Sequence, residues 1–378
     1  MTGFRHVVLR TIIASLSLTA FAAAAGVLAG ADVSSLPDIE RDGGLFRDQG
    51  KPDDEITILR RHGCELFRVR VFVDPDPDPK KNWGATQSLD SVRSLARRIK
   101  TAGGRLLLDI HYSDTWADPQ HQTKPKAWNA LDFDALEKRV GDYTASIIKD
   151  LQAAGAGPDM VQVGNEITEG MLWPDGRVSY KTTPEAKQSW QKLARLLNAG
   201  VAAVRSCEKD GRRIPVVLHI HGGGRPGLPQ TFFKRLTEDG GTPIDFDLIG
   251  LSFYPTWDDS LAELKKNMRD LVATHDKGIL LAEVAYPWMP TGGIKGDKTM
   301  LWPQSPQGQA EYLRACRDAL AELPNGRGVG YVWWYSDSIR VKGRPIWRDG
   351  NEALFDHTGE VLPAMKVFGD SGKVTETK

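Results

Sequence analysis

The feature that most constrains the fold is a repeated alternation of short apolar segments with longer segments of helical composition. The short segments are rich in β-branched and other apolar residues, as buried strands are. Eight of them occupy residues 30–35, 66–72, 105–112, 159–166, 215–222, 247–254, 279–286 and 329–336. Strands that alternate with helical crossovers form parallel sheets. Eight such units predict an α/β fold consisting of a single (β/α)8 TIM barrel.

The segments between the strands carry helical patterns. In "SLDSVRSLARRIKTAG" (88–103), the apolar residues recur at helical spacing and Gly103 is placed to end the helix. An open doubly wound sheet is the alternative architecture. Its usual nucleotide-binding turns, GxGxxG or a P-loop, follow none of the predicted strands. The pattern therefore favours a closed barrel that forms one domain over residues 26–378.

The N-terminus differs in character from the rest of the chain. Arg5 and Arg10 precede a short apolar stretch that runs into small residues, the pattern of a secretory signal. A membrane anchor is the alternative, but Ser, Thr and Gly dilute the stretch, and a span needs about 20 strongly apolar residues. We predict a signal peptide over residues 1–25, cleaved near Ala23 to Ala25. The mature protein is then secreted or periplasmic, with no membrane segment.

Charge and cysteine content exclude several classes of function. The formal net charge is zero, so there is no electrostatic reason to expect nucleic acid as a partner. Cys64, Cys207 and Cys316 are widely spread and lack zinc-ligand spacing. We interpret these thiols as buried packing residues.

Polar residues are concentrated where the predicted strands end. In a parallel barrel this end carries the active site. The residues in question are Arg68, Arg70, Asp109, His111, Asn165, Glu166, His219, His221, Tyr254, Glu283, Trp333 and Trp334. Period-two alternation places each Arg–Arg, Asp–His and His–His pair on one face of its strand. Buried structural salt bridges are the alternative explanation, because a buried ionised group needs a partner.

Glu166 and Glu283, on the fourth and seventh predicted strands, are the most informative pair. Two carboxylates roughly 5 Å apart suit a retaining glycosidase, in which one attacks the anomeric carbon and the other protonates the leaving oxygen. A neighbouring arginine favours the ionised nucleophile. A less polar pocket and the first carboxylate's charge raise the pKa of the acid.

Tryptophan placement is consistent with a sugar substrate. The tryptophans in segments that follow strands are Trp83, Trp116, Trp128, Trp173, Trp257, Trp288, Trp302 and Trp347. Flat aromatic faces suit the apolar faces of pyranose rings. Each of these indoles could equally brace a loop.

At these residues the chain resembles glycoside hydrolase family 53, the arabinogalactan endo-β-1,4-galactanases. The matching stretches include "FRVRVFVDP", "LLDIHYSDTWADPQHQTKPKAW", "MVQVGNEITEGMLWPDG", "FDLIGLSFYPTW" and "EVAYP". They follow the family's order along nearly the whole mature chain. The resemblance implies a retaining hydrolase of β-1,4-galactan and type I arabinogalactan, with residues 26–378 as the catalytic domain. It also implies Glu166 as acid/base and Glu283 as nucleophile.

The resemblance further implies which residues bind substrate. Asn165 would hydrogen-bond the sugar 2-hydroxyl beside the nucleophile. The other expected substrate-binding residues are Arg68, Arg70, Asp109, His111, Asp114, Trp116, Tyr254, Trp333 and Trp334. We expect a monomer that needs no cofactor.

The chain also departs from the family's pattern. Asp258 and Asp259 follow "YPTW" where the family usually has His-Gly, Val284 replaces a usual Thr, and Tyr335 stands where Glu is typical. We expect these changes near the cleft rim or the sugar subsites, where they bear on substrate and chain-length preference more than on the chemistry. Some relatives hold calcium after strand 7, but here that loop offers Asp297 as its only carboxylate, so we predict no metal.

Three alternatives remain open. One is a metal-dependent barrel hydrolase built on His111, His219 and His221, which needs converging imidazoles. Another is a catalytically impaired galactan-binding protein. The third is a retaining barrel glycosidase with a different β-linked substrate. The presence of both glutamates argues against the catalytically impaired protein.

Overall fold

The computed structural model describes residues 26–78, 80–82, 84–257, 259–292 and 300–370. The predicted signal peptide at residues 1–25 lies outside these ranges, as do Trp83, Asp258 and Asp297. None of the helices within the described ranges has the length and apolar character needed to cross a bilayer.

Eight parallel strands close into a barrel, so the predicted fold is confirmed and the open-sheet alternative is wrong. The strands are β1 (Leu28–Asp32), β2 (Leu66–Val71), β3 (Arg105–Ile110), β4 (Met160–Val163), β5 (Val216–Ile220), β6 (Leu248–Phe253), β7 (Gly278–Val284) and β8 (Gly328–Trp333). Each overlaps one of the eight segments predicted from the sequence. Each strand pairs with the next along the chain, and β1 closes the barrel by pairing with β8.

The strand register sets the polar residues at a common level. Asp32 pairs with Arg68 between β1 and β2, and Arg70 pairs with Asp109 between β2 and β3. The pairing of β6 with β7 shifts between Gly250 and Ser252, which brings Ser252 opposite Glu283. A shift of this kind re-aims the side chains that follow it.

Helices cover the outside of the barrel. They are α1 (Leu36–Arg41), α2 (Glu55–Arg61), α3 (Leu89–Thr101), α4 (Phe133–Ala153), α5 (Pro184–Ser206), α6 (Leu228–Asp239), α7 (Leu261–His275), α8 (Pro306–Ala321) and α9 (Lys366–Gly369). The segment predicted as a helix from its spacing forms α3. The Ser88 side chain caps its start by accepting the Ser91 N–H, and Gly103 follows its end with a φ of +74°.

The loops contain two small sheets and several short 3-10 helices. Two small antiparallel sheets pair Phe46–Asp48 with Lys51–Asp53 and Gly170–Met171 with Gly176–Arg177. Short 3-10 helices lie at Lys126–Trp128, Ile167–Glu169, Pro255–Trp257, Pro324–Gly326, Trp347–Gly350 and Pro363–Met365.

The apolar core has two parts. A small cluster fills the barrel interior with Leu66, Leu107, Met160, Val217, Leu248, Leu280, Ala282 and Val332. A larger cluster packs the outer strand faces against the helices. The three cysteines are free and buried, as predicted. The apolar interior leaves polar chemistry to the carboxyl ends of the strands.

Candidate active site

An open cleft of about 600 Å³ lies at the carboxyl ends of the strands. The side chains that line it come from the last residues of strands β6 and β7 and from the segments that follow β3 to β8. They include Trp116, Asp118, Gln120, His121, Asn165, Glu166, Glu169, His221, Arg225, Ser252, Tyr254, Trp257, Asp259, Glu283, Trp334, Tyr335 and Trp347. The cleft therefore combines carboxylates with aromatic faces.

Glu166 reaches the cleft because the chain turns sharply after β4. Gly164 has a φ of +81°, and Glu166 itself has left-handed backbone angles of φ +46° and ψ +49°. A Cβ at position 164 would lie 2.7 Å from a methyl carbon of Ile167, so the turn requires glycine there. Left-handed non-glycine residues cost about 1–3 kcal/mol and cluster at functional sites. The turn thus places a carboxylate in the cleft directly after an apolar strand.

Glu166 and Glu283 face each other across the cleft. One carboxylate oxygen of each, together with one ring nitrogen of His219, lie within 4.8 Å of one another. Retaining glycosidases hold their two carboxyl groups about 5–5.5 Å apart, whereas inverting enzymes leave about 6.5–9.5 Å for a water molecule. The spacing matches the retaining geometry.

Glu283 is held by one ion pair and one hydrogen bond. Its Oε1 lies 3.0 Å from an Arg68 guanidinium nitrogen, and its Oε2 accepts a 2.8 Å hydrogen bond from the Tyr254 hydroxyl. Burial raises the pKa of Glu283, whereas the Arg68 charge and the Tyr254 hydroxyl lower it. Burial and the Glu283 charge raise the pKa of Tyr254 well above its ordinary value, so the phenol keeps its proton and donates.

Glu166 has a different environment. Its Oε1 accepts a 2.6 Å hydrogen bond from the Ser252 hydroxyl, and no arginine is within salt-bridge distance of it among the described residues. Burial first, and then the charge of Glu283, raise the pKa of Glu166 well above its ordinary value. A proton shared by the pair therefore resides on Glu166, and Glu283 is the ionised member.

Arg68 is the hub of the charged layer below the cleft. It is fully buried and contacts Asp32 at 3.0 Å, Asp109 at 2.7 Å and the Asn165 Oδ1 at 2.7 Å, in addition to Glu283. Burial opposes ionisation of Asp109, but the Arg68 charge lowers the pKa of that carboxyl. The ion pairs between Arg68 and these carboxylates offset the free-energy cost of burying the charged groups.

Asn165 lies between this layer and the cleft. Its Oδ1 accepts from Arg68, and its Nδ2 donates to the Ala117 carbonyl at 2.8 Å. The second N–H of the amide has no acceptor among the described residues and is available to a ligand. The contacts fix the orientation of the amide.

Several residues expected to bind substrate lie behind the cleft. His111 Nε2 is 3.0 Å from Asp109, and its Nδ1 accepts the Ala117 N–H at 3.1 Å. Asp114 accepts the backbone N–H groups of Asp74 and Lys126 and so organises the loop after β3. The buried Trp333 donates its indole N–H to the Glu352 carbonyl at 2.8 Å. None of the sequence-predicted residues Asp109, His111, Asp114 and Trp333 lines the cleft.

Arg70 lies beneath three aromatic rings, Trp116, Trp334 and Tyr335, which together are called the aromatic floor of the cleft. Its guanidinium carbon lies 4.7 Å from the ring centroids of Trp116, Trp334 and Tyr335. Such cation–π contacts are worth about 2 kcal/mol or more when desolvated. Trp116 and Trp334, both predicted, line the cleft on this support.

The other tryptophans divide between the cleft and the loops. Trp257 and Trp347 also line the cleft. Trp128, Trp173, Trp288 and Trp302 do not; Trp173, for example, donates its indole N–H to the Glu169 carbonyl. The Arg348 guanidinium lies 5.0 Å from the Trp257 ring centroid.

Sequence reasoning missed several residues in and below the cleft, notably Gln162, Glu169, Arg225 and Ser252. Ser252 precedes Tyr254 by two positions in β6, so the period-two rule applied to the other strands places it on the same face. Glu169 and Arg225 lie in loops, where no periodicity identifies them.

The departures from the family's pattern occupy different places. Asp259 is buried and accepts the Tyr254 N–H at 3.1 Å, with its other oxygen 3.7 Å from Arg225 Nε. Tyr335 belongs to the aromatic floor. Val284, which we expected near the cleft, is fully buried in the core and does not line it.

The histidines do not form the converging set that a metal-dependent hydrolase needs. Both nitrogens of His111 are engaged as described, His221 Nδ1 contacts the Thr168 hydroxyl at 2.6 Å, and His219 Nε2 contacts the Ser252 hydroxyl at 2.8 Å. Within the described residues, the grouping with metal-compatible spacing is the carboxylate pair with His219.

Comparison with known proteins gives consistent matches. Residues 28–368 match the family model for glycosyl hydrolase family 53. An arabinogalactan endo-β-1,4-galactanase from Cellvibrio japonicus is 35% identical over 355 residues, covering 90% of this chain and 89% of that protein. The GH53 catalytic domain of Ignisphaera aggregans superposes with a TM-score of 0.79 at 33% identity, covering 90% of this chain and 95% of that one. A fungal β-1,4-galactanase gives 0.78 at 29% identity, with coverage of 91% and 99%.

Proposed function

Because the chain belongs to glycosyl hydrolase family 53, it is a glycoside hydrolase, and we propose that it cleaves internal β-1,4-galactosidic bonds of (arabino)galactan with retention of configuration. The observation that carries the stereochemical part is the approach of a Glu166 oxygen to a Glu283 oxygen within 4.8 Å. The substrate is proposed from the names of the relatives, which include arabinogalactan endo-β-1,4-galactanases.

The first chemical step joins the sugar to the protein. Glu283 attacks the anomeric carbon while Glu166 gives its proton to the departing glycosidic oxygen, so the C–O bond breaks as the ester bond forms. Arg68 and the Tyr254 hydroxyl favour the ionised state of Glu283 that this attack requires. The raised pKa of Glu166 favours the protonated acid that this step requires.

The second step releases the sugar. Glu166, now ionised, removes a proton from water, and the water oxygen replaces the Glu283 ester at the anomeric carbon. This regenerates both carboxyl groups in their starting states. In this proposal the second N–H of Asn165 donates to the sugar 2-hydroxyl, a contact of the kind that strengthens in the transition state; the bond from Nδ2 to the Ala117 carbonyl, which fixes the amide, supports this role.

Selectivity for galactan rests on the polar groups of the cleft. A site that hydrogen-bonds an axial 4-hydroxyl leaves its own buried groups unpaired with the equatorial epimer, at a cost of about 1–3 kcal/mol for each. Aromatic faces can contact the apolar faces of successive galactose rings. The tryptophans that line the cleft are Trp116, Trp257, Trp334 and Trp347. We propose that the enzyme acts outside the cytoplasm, following removal of residues 1–25, because the N-terminus carries a secretory pattern.

The substrate assignment is tested by incubating the protein with linear β-1,4-galactan, cellulose and mannan, with Glu283→Gln as the inactive control. We expect rapid loss of galactan viscosity, release of short galacto-oligosaccharides and little action on the other polymers. Equal cleavage of cellulose or mannan would contradict the substrate. Release of galactose alone from the start would contradict internal cleavage.

A further inference from the structure

A chain of buried hydrogen bonds leads from Glu166 away from the cleft. The Ser252 hydroxyl lies 2.6 Å from Glu166 Oε1 and 2.8 Å from His219 Nε2. Ser252 is 1% exposed and His219 is fully buried. The Glu166 Oε2, by contrast, makes no hydrogen bond to another described residue and is the oxygen left for substrate.

Two arrangements of protons satisfy these contacts. If His219 carries its proton on Nε2, it donates to Ser252, and Ser252 must donate to Glu166 Oε1. If the proton is on Nδ1, then Nε2 accepts from Ser252, and the Ser252 oxygen can accept a proton held on Glu166 Oε1. Only the first arrangement reserves Oε2 for the acid proton.

The partners of His219 Nδ1 favour the first arrangement. Nδ1 lies 3.1 Å from the Gln162 Nε2, a donor, and 3.0 Å from the Asn165 Oδ1, an acceptor. The acceptor is already engaged by the Arg68 guanidinium at 2.7 Å. The Gln162 amide is oriented by its 2.6 Å bond to Asp109, and its Nε2 also lies 3.0 Å from the Asn165 Oδ1 and 3.2 Å from the Gly164 carbonyl. Because the Asn165 Oδ1 thus already faces two donors, an unprotonated Nδ1 that faces the Gln162 amide is favoured over an Nδ1–H that competes for this oxygen.

We propose that Ser252 and His219 are positioning residues that assign the catalytic proton to Glu166 Oε2. His219, as the Nε2–H tautomer, donates to Ser252, and Ser252 donates to Oε1. The inference rests on the proposed role of Glu166 as acid/base and adds which of its oxygens acts.

The chain does not carry the proton away from Glu166. Burial and the Arg68 charge hold the pKa of His219 well below its ordinary value, so the imidazole stays neutral. The charged groups acting on Glu166 are Glu283 and Asp118, which raise its pKa, and Arg68, which lowers it. The Ser252 hydrogen bond also lowers it, by stabilising the carboxylate formed after proton transfer.

The test compares Ser252→Ala on two substrates that differ in their need for acid. The leaving group in galactan is a sugar hydroxyl, which needs a proton from the acid. In 2,4-dinitrophenyl β-1,4-galactobioside it is 2,4-dinitrophenolate, which departs without protonation. We expect kcat/KM to fall about 10- to 100-fold on galactan and less than about 3-fold on the aryl substrate. The basic limb of the galactan pH profile should move to higher pH. Equal losses on both substrates, or an unmoved basic limb, would overturn the proposal.

Two further measurements keep the outcomes separable. Thr144→Val removes another buried hydroxyl, which contacts Tyr112 outside the cleft, and should leave the substrate ratio unchanged. Nitrogen-15 NMR of histidine-labelled wild-type protein, assigned with His219→Asn, should find the proton on Nε2; a proton on Nδ1 would overturn the proposal even if Ser252→Ala fails to fold. If Glu166→Gln keeps full activity on galactan, the acid/base assignment itself fails, and the inference falls with it.

Discussion

At the scale of single residues, the two glutamates differ because their neighbours differ. Glu283 faces Arg68 and Tyr254, whereas Glu166 faces a serine hydroxyl. We expect Glu166→Gln and Glu283→Gln each to lower kcat on galactan by at least about 10²- to 10⁴-fold, because an acid/base or nucleophile is lost while size is kept. Glu55→Gln, in a buried glutamate outside the cleft, is the matched control and should keep its activity. A near-normal kcat in Glu166→Gln would contradict the acid/base role of Glu166, and a near-normal kcat in Glu283→Gln would contradict the nucleophile role of Glu283.

The Tyr254 hydroxyl gives a prediction about pH dependence. It lowers the pKa of Glu283, so Tyr254→Phe should raise that pKa. Because activity requires ionised Glu283, the acid limb of kcat/KM should move to higher pH, while the basic limb, set by Glu166, stays in place. Steady-state kinetics across the pH range measures both limbs. An acid limb identical to that of the wild type would show that this hydrogen bond does not control the nucleophile.

Residue types at strand ends predicted part of the site. Glu166, Glu283, Asn165, Tyr254, Trp116 and Trp334 all lie in the cleft, as expected of polar and aromatic residues there. Alternation alone could not separate them from Asp109 and His111, since both sets occupy inward faces, and only the contacts with Arg68 and Ala117 place the latter behind the cleft. Alternation places Ser252 on the face of Tyr254, but a serine in a strand does not by its residue type indicate a site.

At the scale of elements, the turn after β4 is the part of the backbone on which the site depends most. In Gly164→Ala the added Cβ would lie 2.7 Å from a methyl carbon of Ile167, and alanine would have to adopt a φ of +81°. We expect a loss of stability of roughly 2–4 kcal/mol, together with reduced kcat, because the turn that places Glu166 must shift. Thermal unfolding and galactan kinetics provide the two readouts.

Gly211→Ala is the control for this turn. Gly211 has a similar φ of +70°, but no atom lies within 4 Å of the added Cβ. The substitution should therefore lower the free energy of unfolding only by the cost of a left-handed backbone at alanine, about 1–2 kcal/mol, and leave kcat unchanged. Equal effects of the two variants on both stability and kcat would show that the contact with Ile167 is unimportant.

The strands were predictable and the irregularities between them were not. Barrel strands are buried on both faces and appear as continuous apolar runs, so all eight could be located. The short sheet strands, such as Phe46–Asp48 and Gly170–Met171, are too brief to show a period. The register shift between Gly250 and Ser252, which sets Ser252 beside Glu283, follows from pairing across strands and has no local sequence signal.

At the scale of the whole molecule, buried carboxyl groups should make stability fall as pH rises from acidic values to about 8. Burial and the Asp32 charge raise the pKa of Asp337 to about 8, and burial raises the pKa of Glu55 well above its ordinary value. A raised carboxyl pKa contributes stability at low pH that is lost as pH rises through the folded-state value. We therefore expect the Tm to fall as pH rises from about 4 to about 8, the interval between the ordinary and the folded-state pKa of Asp337, and to fall less in Asp337→Asn. Parallel Tm curves for the two proteins would contradict this assignment.

We propose that Glu166 and Glu283 cleave a β-galactosidic bond by two successive displacements. Proton NMR of the first products released from galactan, recorded before mutarotation, tests it most directly. Two inversions at one carbon restore the configuration, so we predict that the β-anomer appears first and the α-anomer grows in later by mutarotation. Initial release of the α-anomer would mean a single displacement by water and would contradict the account.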